Sequence, residues 1–428
     1  MSFAIFLRLS KTTGITEFQV LNSVSSPSFF SRLLMQLSLR IPSVTLLALF
    51  ASTALVGLTL VTPAVPALKD DFGISYNLAQ MTISAFLIAV GIGQIFVGIL
   101  SDRFGRRPVF LTGSSLFCLA SLAAAFAPSA EWLIASRAFQ GLGAAALLTM
   151  SRVVVNDVFE REKAANILST ITAIYAIIPV LALSMGGIIV DQFGWRMTLY
   201  IIAVISVIML YHATFSVAET HHNRLQQLRL TDFLSAFRAV ITNRFWIYFS
   251  ICAGMQIGIF QAMTGFMSYH FIRLGASLSE FGLFFSFVSI GYICGNVMIR
   301  FFGHHASLSK WVWIGSIVSV VIILIMWGMN EAGFLTPYSL SALLFCFGFG
   351  NGLTIANAII GSLTNTGQNA GTAGGLGGTA HMSFGGIAGG IIILAGGATN
   401  FTTCMIIILM MALASLVASQ LARGLIAE

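Results

Sequence analysis

The sequence is poor in charge, since only 8% of its 428 residues are Asp, Glu, Lys or Arg. Soluble domains carry roughly 25% charged residues, so this composition excludes an ordinary soluble protein. Apolar residues make up 57% of the chain and form repeated runs of the length that crosses a bilayer as a helix. The composition therefore predicts an all-α integral membrane protein with many spans.

The sequence also lacks paired cysteines and clusters of metal-binding side chains. Its five cysteines lie singly in apolar runs, without a CxxC pair, where they are typical of small core residues. The glycine-rich stretch 371–390 lacks the Gly-Lys-Ser/Thr end of a phosphate-binding loop. We expect no metal, no cofactor and no disulfide, and a membrane enzyme has no supporting motif.

Apolar runs at regular spacing predict twelve transmembrane helices in two six-helix bundles. The longest polar gap, 218–244, contains an amphipathic portion, TDFLSAFRAV, that is typical of a short helix on the membrane surface. The gap divides the chain into a tail (1–41), a first bundle (42–217), a linker (218–244) and a second bundle (245–428). The predicted spans are 42–66, 76–100, 107–127, 131–152, 165–190, 196–217, 245–269, 280–302, 310–329, 336–359, 371–396 and 400–422.

Positive charge is distributed unevenly between the two sets of loops. All but four of the 21 Lys and Arg residues fall in the tail, at the C-terminus or on one set of loops. Lys69, Arg196 and Arg273 fall on the other set, and Arg137 lies inside a span. Because cytoplasmic loops accumulate Lys and Arg, both termini, with the tail and the linker, are predicted to be cytoplasmic. The net charge of +7 reflects this bias, and nucleic-acid binding is not expected. The start of the protein, at Met1 or at Met35, is left open.

A short charged loop joins spans two and three and reads GILSDRFGRRPVFLTG. Gly98 would permit close helix packing, Gly105 would permit the turn, and Pro108 suits the first turn of the next helix. One carboxylate among three arginines at a helix joint predicts a conformational latch; the alternative is a solvated loop that only sets orientation. The predicted latch residues are Gly98, Asp102, Arg103, Gly105, Arg106 and Arg107.

Arg137 is the only Lys or Arg that we place inside a span, where a charge is costly and indicates function. Gln140 shares its helical face three residues later, so we predict an interior polar pair that takes part in transport or coupling. The alternative is that Arg137 extends to the membrane surface.

In span five, Pro179 would interrupt the helical ladder, and Gly186 with Gly187 would allow tight contact. There the alternative to a role in transport is a packing kink that has no bearing on its direction.

The charged loop pattern Gly-x-Leu-x-Asp-Arg-x-Gly-Arg-Arg resembles the loop between helices 2 and 3 of the major facilitator superfamily. The stretches TPAVPALKDDFGIS, RAFQGLGAA, GWRMTLY and NAGTAGGLGGT occur in the order seen in drug–proton antiporters of the bicyclomycin-resistance (Bcr/CflA) type. The resemblance covers about 42–422. It implies a monomer in the bacterial inner membrane that exports small, largely apolar compounds by alternating access, coupled to protons. A transporter for one metabolite, with or without protons, is the alternative; a sensor would need an appended signalling domain.

The group that would carry a proton is not obvious, because no predicted span holds an Asp or Glu well inside it. Relatives usually have an aspartate in helix 1 at the position that we align with Thr59 of this chain. Histidine is the side chain whose unperturbed pKa lies between about pH 5 and 8. His381, inside span eleven, is the better-placed candidate, and His270 lies near the end of span seven. A histidine satisfied by a neighbouring serine or carbonyl is the alternative.

The resemblance places a substrate cavity between the two bundles near mid-membrane. Phe, with 36 residues, and Met, with 17, would supply adaptable apolar walls. Polar candidates for that cavity are Tyr175, Gln256, Gln261 and Asn357.

Overall fold

The structure is a computed structural model that describes residues 43–220, 230–364, 366, 370–396 and 399–427. The predicted tail 1–41 therefore lies outside the described residues. Every regular element in the described part is a helix. The helices are α1 (Val44–Thr59), α2 (Val65–Phe72), α3 (Tyr76–Phe104), α4 (Arg106–Ala125), α5 (Ala130–Val158), α6 (Arg161–Phe193), α7 (Trp195–Ser216), α8 (Leu230–Ile241), α9 (Arg244–Arg273), α10 (Leu278–Phe302), α11 (Leu308–Glu331), α12 (Pro337–Leu363), α13 (Ala370–Leu394) and α14 (Phe401–Ala427).

The twelve predicted spans coincide with α1 plus α2, α3 to α7, and α9 to α14, so the predicted fold class is confirmed. In the described part, eleven helices are long and apolar enough to cross a membrane, and α6 contributes a further apolar stretch, Ile177–Phe193. The predicted surface segment in the linker corresponds to α8. The first span is not one regular helix, because Pro63 and Pro66 lack the N–H that a helix interior needs. A 3-10 turn, Thr62–Ala64, therefore separates α1 from α2.

Short capping signals fix where the helices begin and end. Ser75 and Ser129 each accept a hydrogen bond from the backbone N–H three residues later, at the starts of α3 and α5. Gly105 and Gly194 end α3 and α6 with φ of 99° and 79°, a conformation that favours glycine. Because such caps lie beyond the apolar runs, several helices are longer than predicted. The difference reaches six residues at the end of α2, which continues to Phe72, and at the end of α5, which continues to Val158 rather than stopping near residue 152.

Two large apolar cores organise the molecule. One is built from α1 to α7, with Phe50, Phe110 and Phe117 among its buried rings. The other is built from α9 to α14, with Leu183 of α6 inserted into it. We call these groups of helices the first half and the second half. We call the end that carries the α3–α4 junction the latch end and the opposite end the far end.

Candidate functional site

Two of the predicted latch residues, Asp102 and Arg106, form an ion pair at the α3–α4 junction. The Arg106 guanidinium donates hydrogen bonds to Asp102, to Ser101 Oγ at 2.8 Å, and to Asp157 Oδ2 at 2.9 Å, near the end of α5. Its backbone N–H donates to Glu219 Oε1, after α7, at 2.8 Å. These contacts join α3, α4, α5 and the segment after α7, all in the first half. In this conformation the latch contacts between described residues therefore brace the first half and do not cross to the other.

The other predicted latch residues have different surroundings. A Cβ added to Gly105 would lie 2.3 Å from Glu219 Oε2, so a side chain there would displace that carboxylate. Arg107 donates to the carbonyl of Thr214 at 3.2 Å, whereas Arg103 lies over the ring of Phe104. Gly98 has no heavy atom within 4 Å of an added Cβ. The expectation that Gly98 permits close helix packing is therefore wrong for this conformation.

Two latch partners, Asp157 and Glu219, were not predicted from the sequence. Both are acidic residues near helix ends on the same side as the charged loop, which is the one signal that could have indicated them. Thr220 extends the group by donating to Asp157 Oδ2 at 3.1 Å. A sequence separation of 51 to 113 residues from Arg106 explains why local patterns did not connect them.

Arg137 lies inside the first half, with 0% of its surface exposed. Its guanidinium donates to the carbonyls of Gly57 (2.8 Å) and Thr82 (3.3 Å) and to the side-chain oxygen of Gln140. Gln140 in turn donates to Ser121 Oγ at 2.7 Å. This network connects α1, α3, α4 and α5, and it is incompatible with a side chain that extends to the membrane surface.

The helix that carries Pro179 forms a seam with α10 at the far end. A Cβ on Gly187 would lie 2.3 Å from the carbonyl oxygen of Leu278, and one on Gly186 would lie 2.6 Å from that of Leu60. One turn along, the hydroxyls of Ser184 and Ser286 are 2.7 Å apart. The two glycines of the span-five pattern thus face different partners, and Gly187 faces the other half.

A second seam joins α3 to α13, also in the far-end part of these helices. An added Cβ would lie 2.8 Å from Ser84 Oγ at Gly389 and 2.6 Å from Ile88 Cγ1 at Gly386. The seam extends as far as Gly91, where an added Cβ would meet Ser383 Oγ at 2.5 Å. Small residues at these positions allow the two halves to approach closely.

Hydrogen bonds close the far end further. The hydroxyl of Tyr76 is 2.6 Å from Ser268 Oγ and donates to the carbonyl of Gly265 at 3.1 Å, which joins α3 to α9. Asp191, near the end of α6, accepts hydrogen bonds from the backbone N–H of Ser279 at 2.7 Å and from its hydroxyl. A carboxylate at the first turn of α10 is favourable because it satisfies a free N–H and complements the helix dipole.

The seam between α3 and α13 does not continue to the latch end. On α13, an added Cβ at Gly375 would meet no heavy atom within 4 Å, and one at Gly374 would meet only Leu363 of the same half. At Gly378 the single neighbour is Arg152 Nη1, 3.8 Å away, on α5. Among the described residues, the two halves are therefore joined at the far end, and the close approach of α3 and α13 is not found toward the latch end.

The two histidine candidates lie in different environments. His381, with 6% of its surface exposed, is on α13 close to Arg152 of the other half. His270 is surrounded by the rings of Phe266, Tyr269 and Phe401, all within 6 Å between centroids. In both residues Nε2 is buried without a hydrogen-bond partner in the described part of the chain. Only His381 lies at the boundary between the halves, and the serine or carbonyl contact considered for it is not observed at Nε2.

The three proposed polar cavity residues whose side chains are described do not bond to one another. Gln256 donates to Ser415 Oγ at 3.3 Å inside the second half, so its predicted role in the cavity is not supported. The Asn357 amide donates to the carbonyl of Leu353 at 2.8 Å, within its own helix. Gln261 packs beside Gly385 of α13. The side chain of Tyr175 lies outside the described part of the structure.

Sequence comparison identifies a family and several relatives. The family profile described as Major Facilitator Superfamily matches residues 46–390. Multidrug resistance protein D of Escherichia coli (strain K12) is 29% identical over 77% of this chain and 83% of the relative. A chloramphenicol resistance protein of Pseudomonas aeruginosa is 27% identical over 77% and 78% of the two chains. A bicyclomycin resistance protein homolog of Haemophilus influenzae (strain ATCC 51907 / DSM 11121 / KW20 / Rd) is 25% identical over 78% and 85%.

Solved structures show the same fold. The crystal structure of a D-xylose–proton symporter superimposes with a TM-score of 0.67 at 15% identity, covering 89% of this chain and 96% of the symporter. A bacterial homolog of the human lysosomal transporter Spinster superimposes with a TM-score of 0.65 at 13% identity, covering 88% and 96%. Together with the family match, these comparisons confirm the resemblance to the major facilitator superfamily and the predicted architecture.

Proposed function

The chain belongs to the major facilitator superfamily, and from this premise we propose that it exports small, largely apolar compounds by alternating access coupled to proton antiport. The observation that carries the proposal is that, among the described residues, close contacts join the halves at the far end and are not found between α3 and α13 toward the latch end. Alternating access requires such a state and a second state that is closed at the latch end and open at the far end. The relatives named for resistance to several drugs, to chloramphenicol and to bicyclomycin support export, and they do not favour the one-metabolite alternative.

The orientation proposed for this multi-pass protein has the latch end in the cytoplasm of a bacterial cell, with both termini there. The positive loops at the latch end support it, because Arg103, Arg107 and Lys310 belong to that side. In this orientation the end that lacks the α3–α13 seam would face the cytoplasm, where an exporter collects its substrate. Compounds would enter between α5 and α13 and leave after the far-end seams separate.

The role proposed for each residue in transport is based on its position in the fold. The Arg106 network would hold α3, α4 and α5 as one rigid unit while the halves rock. The Arg137 network would fix the core of the same unit, close to the substrate path. His381 is the proposed proton carrier, because it is a titratable side chain at the boundary between the halves and its Nε2 has no partner among the described residues.

Everted membrane vesicles that contain the full chain test the proposal. With a proton gradient imposed, radiolabelled chloramphenicol should accumulate inside the vesicles against its own gradient. Collapse of the gradient by a protonophore should abolish accumulation, and Asp102→Asn should fail to accumulate although it is present in the membrane at normal amounts. Equal accumulation with and without the gradient would refute proton coupling. Accumulation no greater than in vesicles without the protein would refute export of this compound.

A further inference from the structure

A cavity of about 200 Å³ lies at the far end of the second half, and we call it the far-end cavity. It is bounded by the end of α9, by the segment that joins α11 to α12, and by the start of α14. The residues that line it are His270, Arg273, Leu274, Asn330, Gly333, Leu335 and Phe401. Because all of them belong to the second half, the cavity is distinct from the proposed substrate path between the halves.

His270 brings to this cavity a hydrogen-bond donor that no described residue uses. The side chain is 3% exposed, and neither ring nitrogen has a hydrogen-bond partner in the described part of the chain. A neutral imidazole carries its proton on one nitrogen or the other, so an N–H is left unsatisfied in either tautomer. The large majority of buried polar side chains have a partner. An acceptor oxygen of a ligand in the cavity would supply one.

Positive charge lines the cavity beside this histidine. Arg273 lies one turn further along α9, on the same helical face, and makes no ion pair or hydrogen bond with any described residue. Phe401 is the first residue of α14, so the cavity also adjoins the positive end of a helix dipole. The two residues between the described positions 396 and 399 are glycine and alanine, which carry no charge.

The carboxylate that follows Asn330 in sequence, Glu331, does not line the cavity and is engaged by its own neighbours. Its Oε1 atom accepts hydrogen bonds from Trp327 Nε1 at 3.2 Å, from the Asn330 amide at 3.5 Å, and from the hydroxyl of Thr402. The Asn330 amide has a second N–H to donate. An anion in the cavity would therefore meet donors from both α9 and α11.

We propose that the far-end cavity binds a phosphate group. Phosphate oxygens accept several charge-assisted hydrogen bonds at once, and the fork of an arginine matches two of these oxygens. Donors that approach from two helices suit a tetrahedral anion better than a planar carboxylate.

Two sources present this chemistry, a phospholipid headgroup in the leaflet at the far end and a phosphate compound in solution. The ring of Phe334, between two lining residues, is 73% exposed, and an apolar surface beside the cavity favours the headgroup. Such a ligand goes beyond the proposed export, since it would occupy a second site.

Calorimetric titration of the purified full chain in a maltoside detergent tests the proposal with three probes. These are glycerol 3-phosphate, dihexanoylphosphatidylglycerol and dihexanoylglycerol, which has the acyl chains without the phosphate. Wild type should bind the phospholipid, and it should bind dihexanoylglycerol at least about tenfold more weakly. Binding of glycerol 3-phosphate as tight as that of the phospholipid would identify soluble phosphate compounds as the source. Binding of the phospholipid alone would identify the headgroup.

Variants then connect this binding to the cavity. Arg273→Gln, at an exposed position, should weaken phospholipid binding about tenfold or more, because a charge-assisted hydrogen bond is lost. His270→Phe keeps a ring among its aromatic neighbours but removes the N–H, and it should weaken binding about fivefold. Arg196→Gln is the matched control, because Arg196 lies at the same end in the first half, and it should leave the affinity unchanged.

Three results would overturn the proposal. The first is equal binding of the phospholipid and dihexanoylglycerol, the second is an unchanged affinity in Arg273→Gln, and the third is binding of none of the probes. All three are measured without transport, so they leave the proposed export to be decided by the vesicle experiment.

Discussion

At the scale of single residues, Arg137 and Arg106 show how a buried guanidinium can organise a bundle. Arg137 donates to two backbone carbonyls and one amide from three directions. The planar fork of arginine suits this arrangement, whereas a lysine ammonium is a compact charge on a flexible stem. The pairing of Arg137 with Gln140 could be predicted from helical spacing. The contacts with Gly57 and Thr82 could not, because they depend on how α1 and α3 pack.

We predict that Arg137→Lys abolishes transport even though the charge is retained. Lysine cannot satisfy the carbonyls of Gly57 and Thr82 and the Gln140 oxygen together, and each unsatisfied buried group costs about 1–3 kcal/mol. The expected result is loss of vesicle accumulation together with a lower unfolding temperature in detergent. Arg196→Lys, at an exposed ion pair with Asp71, is the control and should retain both properties. Full transport by Arg137→Lys would show that the forked geometry is unnecessary.

We predict that Asp157→Asn impairs transport about as severely as Asp102→Asn. Both carboxylates accept from the Arg106 guanidinium, and each change leaves a charge-assisted hydrogen bond weakened by about 1–2 kcal/mol. Initial rates of substrate accumulation at equal protein levels measure the effect. Arg103→Gln should retain near-normal rates, because Arg103 contacts only a ring in the described part of the structure. Normal transport by Asp157→Asn would restrict the latch to the charged loop.

We predict that His381→Gln loses uphill transport and that His270→Gln keeps it. His381 is next to Arg152 of the opposite half, so protonation there can respond to movement between the halves, whereas His270 is enclosed by aromatic rings. The measurement is substrate movement driven by an imposed pH gradient in reconstituted vesicles, with downhill exchange as a test of integrity. Gradient-driven movement that survives in His381→Gln would remove this histidine as the carrier.

At the scale of helices, glycine positions decide which elements can approach. The sequence indicated close packing at Gly186 and Gly187 but not the partner, because small residues mark an interface without specifying what lies across it. In the structure Gly187 packs against α10, and Gly186 packs against the end of α1. Close packing was also expected for the small-residue stretch 371–390, but α3 was not predicted as its partner, because small residues do not specify what lies across an interface.

We predict that Gly187→Val prevents closure of the far end. The Cβ atom of a valine at this position would lie 2.3 Å from the Leu278 carbonyl oxygen, so α6 and α10 would have to move apart. A Ser184→Cys reporter in a background without the native cysteines should then react faster with a membrane-impermeant maleimide added to the far-end side. Gly390→Val is the control, because an added Cβ there meets nothing within 4 Å. Unchanged labelling in Gly187→Val would mean that the seam tolerates the added bulk.

At the scale of the whole molecule, the twelve spans could be predicted because apolar runs of about 20 residues separated by short polar gaps permit few alternatives. The ends of the helices were less predictable, since caps such as Ser129 and Gly194 lie outside the apolar runs. That difference matters for Arg152. The predicted end of span four lies six residues before the end of α5, so Arg152 was assigned to a loop although it lies inside the helix. The relation between the halves depends on contacts between residues far apart in sequence, such as Tyr76 with Ser268, which no local pattern indicates.

The same relation between the halves leads to a prediction about the balance of conformations. Asp191 of the first half accepts from the first turn of α10 in the second half, so this contact exists only while the far end is closed. Loss of such a helix-capping acceptor costs about 1 kcal/mol, which corresponds to a shift of about fivefold in a two-state equilibrium. Asp191→Ala should therefore enrich the far-open state about fivefold, measured as a longer distance between spin labels placed across the far end.

Two further variants serve as controls for this prediction. Asp191→Asn keeps an acceptor oxygen and should shift the equilibrium less. Glu331→Ala removes a far-end carboxylate that bonds within the second half and should leave the equilibrium unchanged. Identical distance distributions in wild type and Asp191→Ala would show that the glycine seams alone hold the far end closed.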